Sequence, residues 1–441
     1  MTAGPTDGRR VAVVGAGIVG VSCAWQLQAR GYQVTLIDRL DPGEACSYGN
    51  AGVIATGSCV PQVLPRTWRQ VPKWLLSRDG PLAIDPRDLP RTWRWFRAAQ
   101  RSATPEGVSA AGRALRALHA GAVADHLVQA QAAGCGDLIA RRRYLHVYTS
   151  EAAYAADSGA WALRREIGIP ARDLGPAEIR EVEPALTNRF ARGVLHDDHG
   201  VALDPGGLVK ALADDLDRRQ GRRLRATVQE LTPGAAGGVT LGTDAGSVTA
   251  DTLVLAAGAW SGELARALGH DFPVTAERGY HVMYSEPGVE LRQPVMFADW
   301  KFVANSMRDG LRLAGTAEFA AADRPANARR TRMLERLAGA CIDGLDRSQP
   351  SRWVGARPSL PDSLPVIGRS HLHPDVVFAF GHGHTGLTAS ATTARIVAAL
   401  VAGETPPIDI APFRPDRYPT RSPADSAPGV TSRTRSAPSA G

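Results

Sequence analysis

Residues 381–388 read GHGHTGLT and stand just before an apolar run, SATTARIVAALVAG. Two histidines one residue apart suggest a metal pair. On a strand, however, they share one face, and neither a third ligand nor a carboxylate lies nearby in sequence. We therefore expect no metal site. The segment follows an apolar strand, VVFAF (376–380), and precedes a helix that should begin near Thr385 to Thr388. Its backbone N–H groups and positive helix end would then face whatever lies in front of them. The chemistry this suits is stabilisation of negative charge by preorganised backbone donors, with the glycines allowing close approach.

A second cluster lies near the N-terminus. Residues 10–38, RVAVVGAGIVGVSCAWQLQARGYQVTLID, read as a buried strand, a glycine turn, a helix stopped at Gly31 and a second strand ending in Asp38. Gly15 would make the tight turn and Gly17 would let N–H groups approach a pyrophosphate. Gly20 would let helix and strand pack closely. Asp38, eighteen residues past Gly20, could accept hydrogen bonds from a ribose hydroxyl. This is the pattern of a βαβ dinucleotide site, and these residues alone leave open which dinucleotide it takes. Farther on, GRRLRATVQELTP (221–233) and GGVTLGTDAGSVTADTLVLAAGAW (237–260) predict a strand, a hairpin and a buried return strand. That addition suits a flavin domain better than a minimal NAD domain.

Six segments then occur in order: GAGIVG (15–20), CSYGNAGVI (46–54), LAAGAWS (255–261), ERGYHVM (277–283), GARPSLPDSLPVIG (355–368) and GHGHTGLT (381–388). Over about residues 10–411 the chain resembles the FAD-dependent D-amino acid oxidase superfamily, most closely its bacterial D-amino acid dehydrogenase and D-hydroxyproline dehydrogenase branch. The resemblance implies an α/β fold in which an FAD-binding Rossmann-like domain (9–60, 201–272 and 351–411) is interleaved with a mixed-sheet substrate domain (61–200 and 273–350). By composition, rich in Pro, Ser, Arg and Gly and nearly free of aliphatics, 412–441 is expected to be a disordered tail.

The resemblance also implies site residues. Gly15, Ala16, Gly17, Ile18, Val19 and Gly20, with Asp38 and Arg39, would hold the nucleotide. Ser47, Asn50, Ala51, Gly52 and Val53 would lie along the flavin, Val228 at the adenine edge, and Ala257, Gly258 and Trp260 beneath the pyrophosphate. Gly383, His384, Thr385, Gly386, Leu387 and Thr388 would face the flavin's N1 and C2 carbonyl edge. Arg357, held extended by Pro358, would clamp the substrate α-carboxylate with its planar fork. Tyr280, His281 and His384 are catalytic candidates; Tyr48 and Glu318 are substrate-binding candidates, with a surface carboxylate the other reading of Glu318. Were ERGYHVM a strand, Tyr280 and His281 would point to opposite faces.

The resemblance implies hydride transfer from the α-carbon of a D-amino acid to flavin N5, in amino acid catabolism. D-Proline and cis-4-hydroxy-D-proline are candidate substrates, with electrons passing to a quinone or another respiratory carrier. Non-covalent FAD is expected, because no cysteine occurs in GARPSLPDS or GHGHTGLT, where sarcosine oxidase relatives carry a flavin-linking thiol. Other readings are a glycine- or sarcosine-type oxidase using oxygen, an RNA-binding tRNA-modifying flavoprotein, and an NAD-dependent dehydrogenase. The last leaves the meander and GHGHTGLT unexplained.

The bulk sequence agrees with an ordinary globular enzyme. The 441 residues are 44% hydrophobic, and the five cysteines form no C-x-x-C pair, which favours a reducing, cytoplasmic setting. A net charge of +7 hints at nucleic acid, but residues 413–441 hold five Arg against two Asp, so no nucleic-acid partner is expected. Residues 64–101 repeat LPRTWR and carry nine basic and three acidic residues around Trp68, Trp74, Trp93 and Trp95. Such a segment suits the headgroup layer of an anionic membrane, or else packs its tryptophans inside with arginines reaching outward. Peripheral contact with the inner face of the cell membrane is the corresponding expectation.

Overall fold

The computed structural model describes residues 8–65, 67, 70–77 and 79–420. Its first sheet grows from the apolar strand Arg10–Val14, which pairs in parallel with Gln33–Asp38 on one side and Thr252–Leu255 on the other. Val376–Phe380 continues it in parallel, Val366–Arg369 closes that edge antiparallel, and Arg222–Arg225 closes the other. Runs such as VAVV and TLVL are apolar without alternation because these strands are covered on both faces. Ile18–Ala29, Pro205–Arg218 and Gly386–Ala402 cover one face, packing Ala24, Leu27, Leu212, Leu216, Ile396 and Val397 into a common core. The three-stranded meander Val228–Pro233, Val239–Thr243 and Gly246–Ala250 lies in the core of the other face, through Leu231 and Leu241 beside Phe378.

The second sheet runs Ser351–Ser359, Thr275–Tyr284, Gly310–Phe319, Phe302–Met307, Val295–Phe297, Ile139–Tyr148, Arg192–Ala202 and Val53–Ile54, with Leu82–Ile84 and Arg172–Leu174 added at its sides. Helix Ala328–Cys341 buries Leu334 and Leu337 against Val282 and Leu313 of this sheet. The strand Ser351–Ser359, assigned by sequence to the nucleotide-binding unit, pairs instead along Thr275–Tyr284. Helices Pro105–His119 and Ala122–Ala132, assigned to the substrate unit, send Leu115, Leu118 and Val123 into the core of the first sheet. The expected tail also begins too early at 412. Phe413 is fully buried, and Arg417 binds Asp362 (2.9 Å) and the Leu364 carbonyl (2.7 Å). The rest of the expected tail, 421–441, lies outside the described residues.

Residues Gly383–Ala402 are long and apolar enough to cross a membrane, yet 72% of their most apolar window is buried within the protein. The Trp/Arg segment divides. Trp95 and Phe96, on helix Leu89–Ser102, pack with Phe319, whereas Trp93 is 57% exposed. Trp68 lies outside the described residues.

His146, His196 and His199 are buried together, with ring centroids 5.3 Å apart for the first pair and 5.2 Å for the second. Burial lowers all three pKa values, to about 4 for His196 and about 3 for His199. The unfolded chain, with ordinary histidines near 6.5, therefore binds more protons than the fold. The stability they contribute is fully present above about pH 6.5 and declines as pH falls toward the folded values. We expect the urea midpoint to drop between pH 7.5 and 5, with a shallower slope in a H196Q/H199Q variant. Equal slopes would remove this cluster as the cause.

Candidate functional site

One cavity of about 1180 Å³ runs from the glycine turn of the first sheet to the strands Thr275–Tyr284 and Ser351–Ser359 of the second. At its first end, Gly15 adopts φ +112°, and an added Cβ would sit 2.3 Å from the Ala256 carbonyl oxygen. A Cβ on Gly20 would meet the Gly15 carbonyl at 1.9 Å, so Gly20 serves close helix–turn packing and is not in the cavity wall. Gly17 precedes helix Ile18–Ala29 and caps it with no side chain; the Ile18 N–H is instead taken by Ser47 Oγ at 2.9 Å. Ser47 thus ties the 46–53 loop to the helix start. Asp38 accepts the Ala16 N–H (2.7 Å) and the Leu40 N–H (2.9 Å), and the Arg39 guanidinium lies 4.3 Å from the Trp260 ring centre. Asp38, Arg39, Val228, Ala257, Gly258 and Trp260 all line this end, as do Gly17, Ile18 and Val19.

These residues fit the adenine and pyrophosphate half of FAD. A helix N-terminus opens on the cavity, and at Gly17 an added Cβ would meet nothing closer than Ser47 Oγ at 3.5 Å. The glycine therefore keeps space for a ligand rather than for protein.

The middle of the cavity is walled by the 46–53 loop. Buried Arg312 donates to the Tyr48 and Asn50 carbonyls (2.7 and 2.8 Å), and Asn305 donates to the Ala51 carbonyl (2.9 Å). Gly52, at φ +76°, donates its N–H to Asn50 Oδ1 (2.7 Å) and sits against the Ala202 carbonyl. Asn50, Ala51 and Val53 line the cavity, while Gly52 shapes the loop from behind. Cys46 also lines it. Its thiol donates to the Ala356 carbonyl, and burial pushes its pKa up to about 12, so it remains a thiol.

At the far end, Arg357 stands opposite Glu277 across the two strands. Its Nη1 donates to the Thr316 carbonyl (2.9 Å) and to Glu277 Oε1 (3.3 Å). The guanidinium lies across Gly279, where an added Cβ would sit 2.1 Å from Nη2. Glu277, 2% exposed, also accepts from Ser359 Oγ (2.7 Å) and from His384 Nε2 (2.5 Å). Burial alone would raise the Glu277 pKa, but its pairing with His384 and then with Arg357 outweighs this and brings it to about 2. The two histidines of GHGHTGLT therefore face different partners. His382 is buried against Thr393 Oγ1 (3.0 Å), and burial lowers its pKa to about 3; His384 turns toward Glu277. Helix Gly386–Ala402 begins beside them after a short turn Gly383–Thr385. Gly383, His384, Gly386, Leu387 and Thr388 line the cavity, while Thr385 bonds back to the His382 carbonyl.

Three expected catalytic or substrate-binding residues are not brought in. Tyr48 is 41% exposed outside the cavity, over Arg312. His281 is buried, stacked on Trp353 (centroids 5.3 Å apart), with its pKa lowered to about 4 by burial. Glu318, expected at a substrate or on the surface, is buried in an ion pair with Arg278 (3.2 Å) and hydrogen bonds to Tyr280 and Asn327. Tyr280 lies in the cavity wall with Glu277 and Gly279, beside a register shift between Arg278 and Tyr280, but its hydroxyl is occupied by Glu318; His281 does not reach the wall. Glu277 and Gly279 were present in ERGYHVM without being singled out, because their meaning depends on the register with Arg357. Arg312 and Asn305 carried no motif at all.

The family model for FAD-dependent oxidoreductases (DAO) matches residues 10–400. A D-amino-acid oxidase of Bradyrhizobium diazoefficiens is 38% identical over 419 residues, covering 93% of this chain and 99% of that protein. A D-amino acid dehydrogenase of Paramagnetospirillum magneticum is 32% identical over 425 residues, covering 93% and 99%. Among solved structures, glycine oxidase from Geobacillus kaustophilus superposes with a TM-score of 0.73 at 20% identity, over 93% of this chain and 99% of that one.

Proposed function

The chain belongs to the FAD-dependent oxidoreductase (DAO) family, and from that premise we propose that it oxidises D-amino acids, with Arg357 as the carboxylate clamp. Bound FAD supplies the two-electron acceptor that takes the α-hydrogen as hydride. The observation that carries the reading is the state of Arg357. One of its terminal nitrogens is held by Thr316 and Glu277, while its Nε and Nη2 make no hydrogen bond among the described residues, at the edge of a cavity that begins at a dinucleotide turn. A fork so oriented suits a carboxylate. The N-terminus of helix Gly386–Ala402 is suited to hold negative charge that accumulates nearby during oxidation.

Beside Arg357 the wall turns apolar, with Val63, Leu82, Trp95, Phe96 and Phe319. The Trp95 indole donates to the Ser359 carbonyl at 3.1 Å, which ties this wall to the clamp strand. It supports substrates with apolar side chains, D-proline among them, the imino product being hydrolysed or kept as a cyclic imine. Anaerobic mixing of the holoenzyme with D-amino acids, L-amino acids and cyclic imino acids tests the reading by flavin bleaching. We expect apolar D-amino acids to bleach fastest, and bleaching by L-amino acids alone would overturn it. Release of all flavin into the supernatant on denaturation tests the non-covalent cofactor.

We propose a quinone or another respiratory carrier as acceptor. The 38% identical relative named an oxidase favours a second reading, with oxygen as acceptor. Oxygen uptake with peroxide formation at the rate of substrate oxidation would select the second. For a cytoplasmic enzyme passing electrons to a membrane carrier, Leu75 and Leu76 are exposed on helix Val71–Leu76 with Lys73, and Leu89 and Trp93 on helix Leu89–Ser102 with Arg94 and Arg97. We expect flotation with anionic liposomes, and absence from the lipid fraction would end the membrane reading.

A further inference from the structure

We propose that Glu277 is a positioning residue that serves both ends of the substrate: it anchors Arg357 for the carboxylate and orients His384 as acceptor of the ammonium proton. This rests on the D-amino acid reading above. Glu277 is bonded to the neighbouring strand and to a helix start. Arg357 and Ser359 come from Ser351–Ser359, and His384 comes from the turn before Gly386–Ala402. Arg357 can only donate, and the cation beside it helps hold the Glu277 pKa down to about 2, so the group is ionised and both its oxygens act as acceptors.

An ionised carboxylate 2.5 Å from Nε2 keeps the proton on that nitrogen and leaves Nδ1 as the lone-pair nitrogen. Both side chains line the cavity, but that of His384 is 48% exposed and that of Glu277 only 2%. A zwitterionic substrate with its carboxylate on Arg357 brings an ammonium group toward the same end. In the step assigned here, a substrate N–H bond breaks and its electron pair stays on nitrogen. The proton forms an N–H bond at His384 Nδ1, and Glu277 remains a carboxylate facing the imidazolium. The neutral amine can then support departure of the α-hydrogen as hydride. Every charge keeps a partner throughout, which is what a buried site requires.

Few other charges bear on this pair. Among the described residues packed around it, Arg357 is the facing cation and Cys46 lies beyond as a neutral thiol. Gln62, Thr316 and Ser359 supply polar atoms that do not titrate. Arg278 and Glu318 pair with each other from the opposite face of Thr275–Tyr284.

The test is the pH profile of kcat/KM with the best D-amino acid, together with benzoate binding followed by the holoenzyme's flavin spectrum. Glu277→Gln keeps the shape and loses the charge, so the acidic limb should move down by about one pH unit and kcat/KM at pH 7 should fall about tenfold or more. Benzoate affinity should stay within threefold. His384→Asn, at a half-exposed position, should abolish that limb and lower kcat by about a hundredfold, again with benzoate retained. Glu277→Ala should weaken benzoate at least tenfold, because Arg357 loses its anchor. An unmoved acidic limb in Glu277→Gln, or one persisting in His384→Asn, overturns the proposal. A wild-type enzyme that neither binds benzoate nor is reduced by any D-amino acid overturns the underlying function instead.

Discussion

Replacing Arg357 by leucine should lower kcat/KM for apolar D-amino acids by about a thousandfold, or ~4 kcal/mol, with the bound flavin unchanged. The size follows from what is lost. A carboxylate entering an apolar-walled cavity leaves water and must be paired, and the guanidinium is the cation at that end. Leucine fills similar volume and offers no donor, so the substrate carboxylate would remain unpaired. Lysine keeps the charge but not the fork, and should recover only part of the loss. Gly279→Ala gives an independent route to the same defect, because its Cβ would collide with the guanidinium and displace it without removing charge. We expect it to fall between wild type and Arg357→Leu in rapid-mixing measurements of flavin reduction. A thousandfold loss in neither kcat nor KM for Arg357→Leu, with Gly279→Ala silent, would assign the carboxylate to another group.

The difference between Arg357 and Glu277 shows where sequence reading stops. Arg357 stands in a motif whose chemistry is local: a fork, followed by a proline that holds the backbone extended. Glu277 lies in an equally visible motif, but its role arises from register, since only pairing of Thr275–Tyr284 with Ser351–Ser359 sets it opposite Arg357. Alternation shows which residues of a strand share a face and says nothing of which strand lies alongside. The same gap put Ser351–Ser359 in the wrong unit and turned Glu318 from a surface or substrate-facing carboxylate into the buried partner of Arg278. The βαβ unit, by contrast, was legible throughout, because its strand, turn and helix are contiguous, and Gly20 packs directly on the turn, against the Gly15 carbonyl. The C-terminal boundary failed for a third reason. Composition averages over a segment, whereas three residues, Phe413, Arg417 and Tyr418, anchor 412–420 individually.

Gly17→Val should give a folded protein that has lost its flavin, and Gly15→Ala a protein that folds poorly whether or not flavin is supplied. Both glycines belong to one fingerprint, yet they answer to different neighbours. Gly15 has φ +112°, a region L-residues rarely adopt, and its Cβ would meet the Ala256 backbone at 2.3 Å, an atom that cannot swing aside. Gly17 is extended, at φ −75° and ψ 174°, and its Cβ would meet protein no closer than 3.5 Å. A valine there costs the helix about 1 kcal/mol at most as a poorer N-cap. Its side chain enters the cavity beside the helix N-terminus, where a pyrophosphate must approach the backbone N–H groups. We expect the apo forms of wild type and Gly17→Val to share a far-UV spectrum and melt within a few degrees of each other. FAD affinity, titrated by quenching of flavin fluorescence, should fall at least a hundredfold, equivalent to about 2.7 kcal/mol. Purification of Gly17→Val with one FAD per chain would show that the cofactor does not lie against this turn, and would detach the glycine fingerprint from the cofactor altogether.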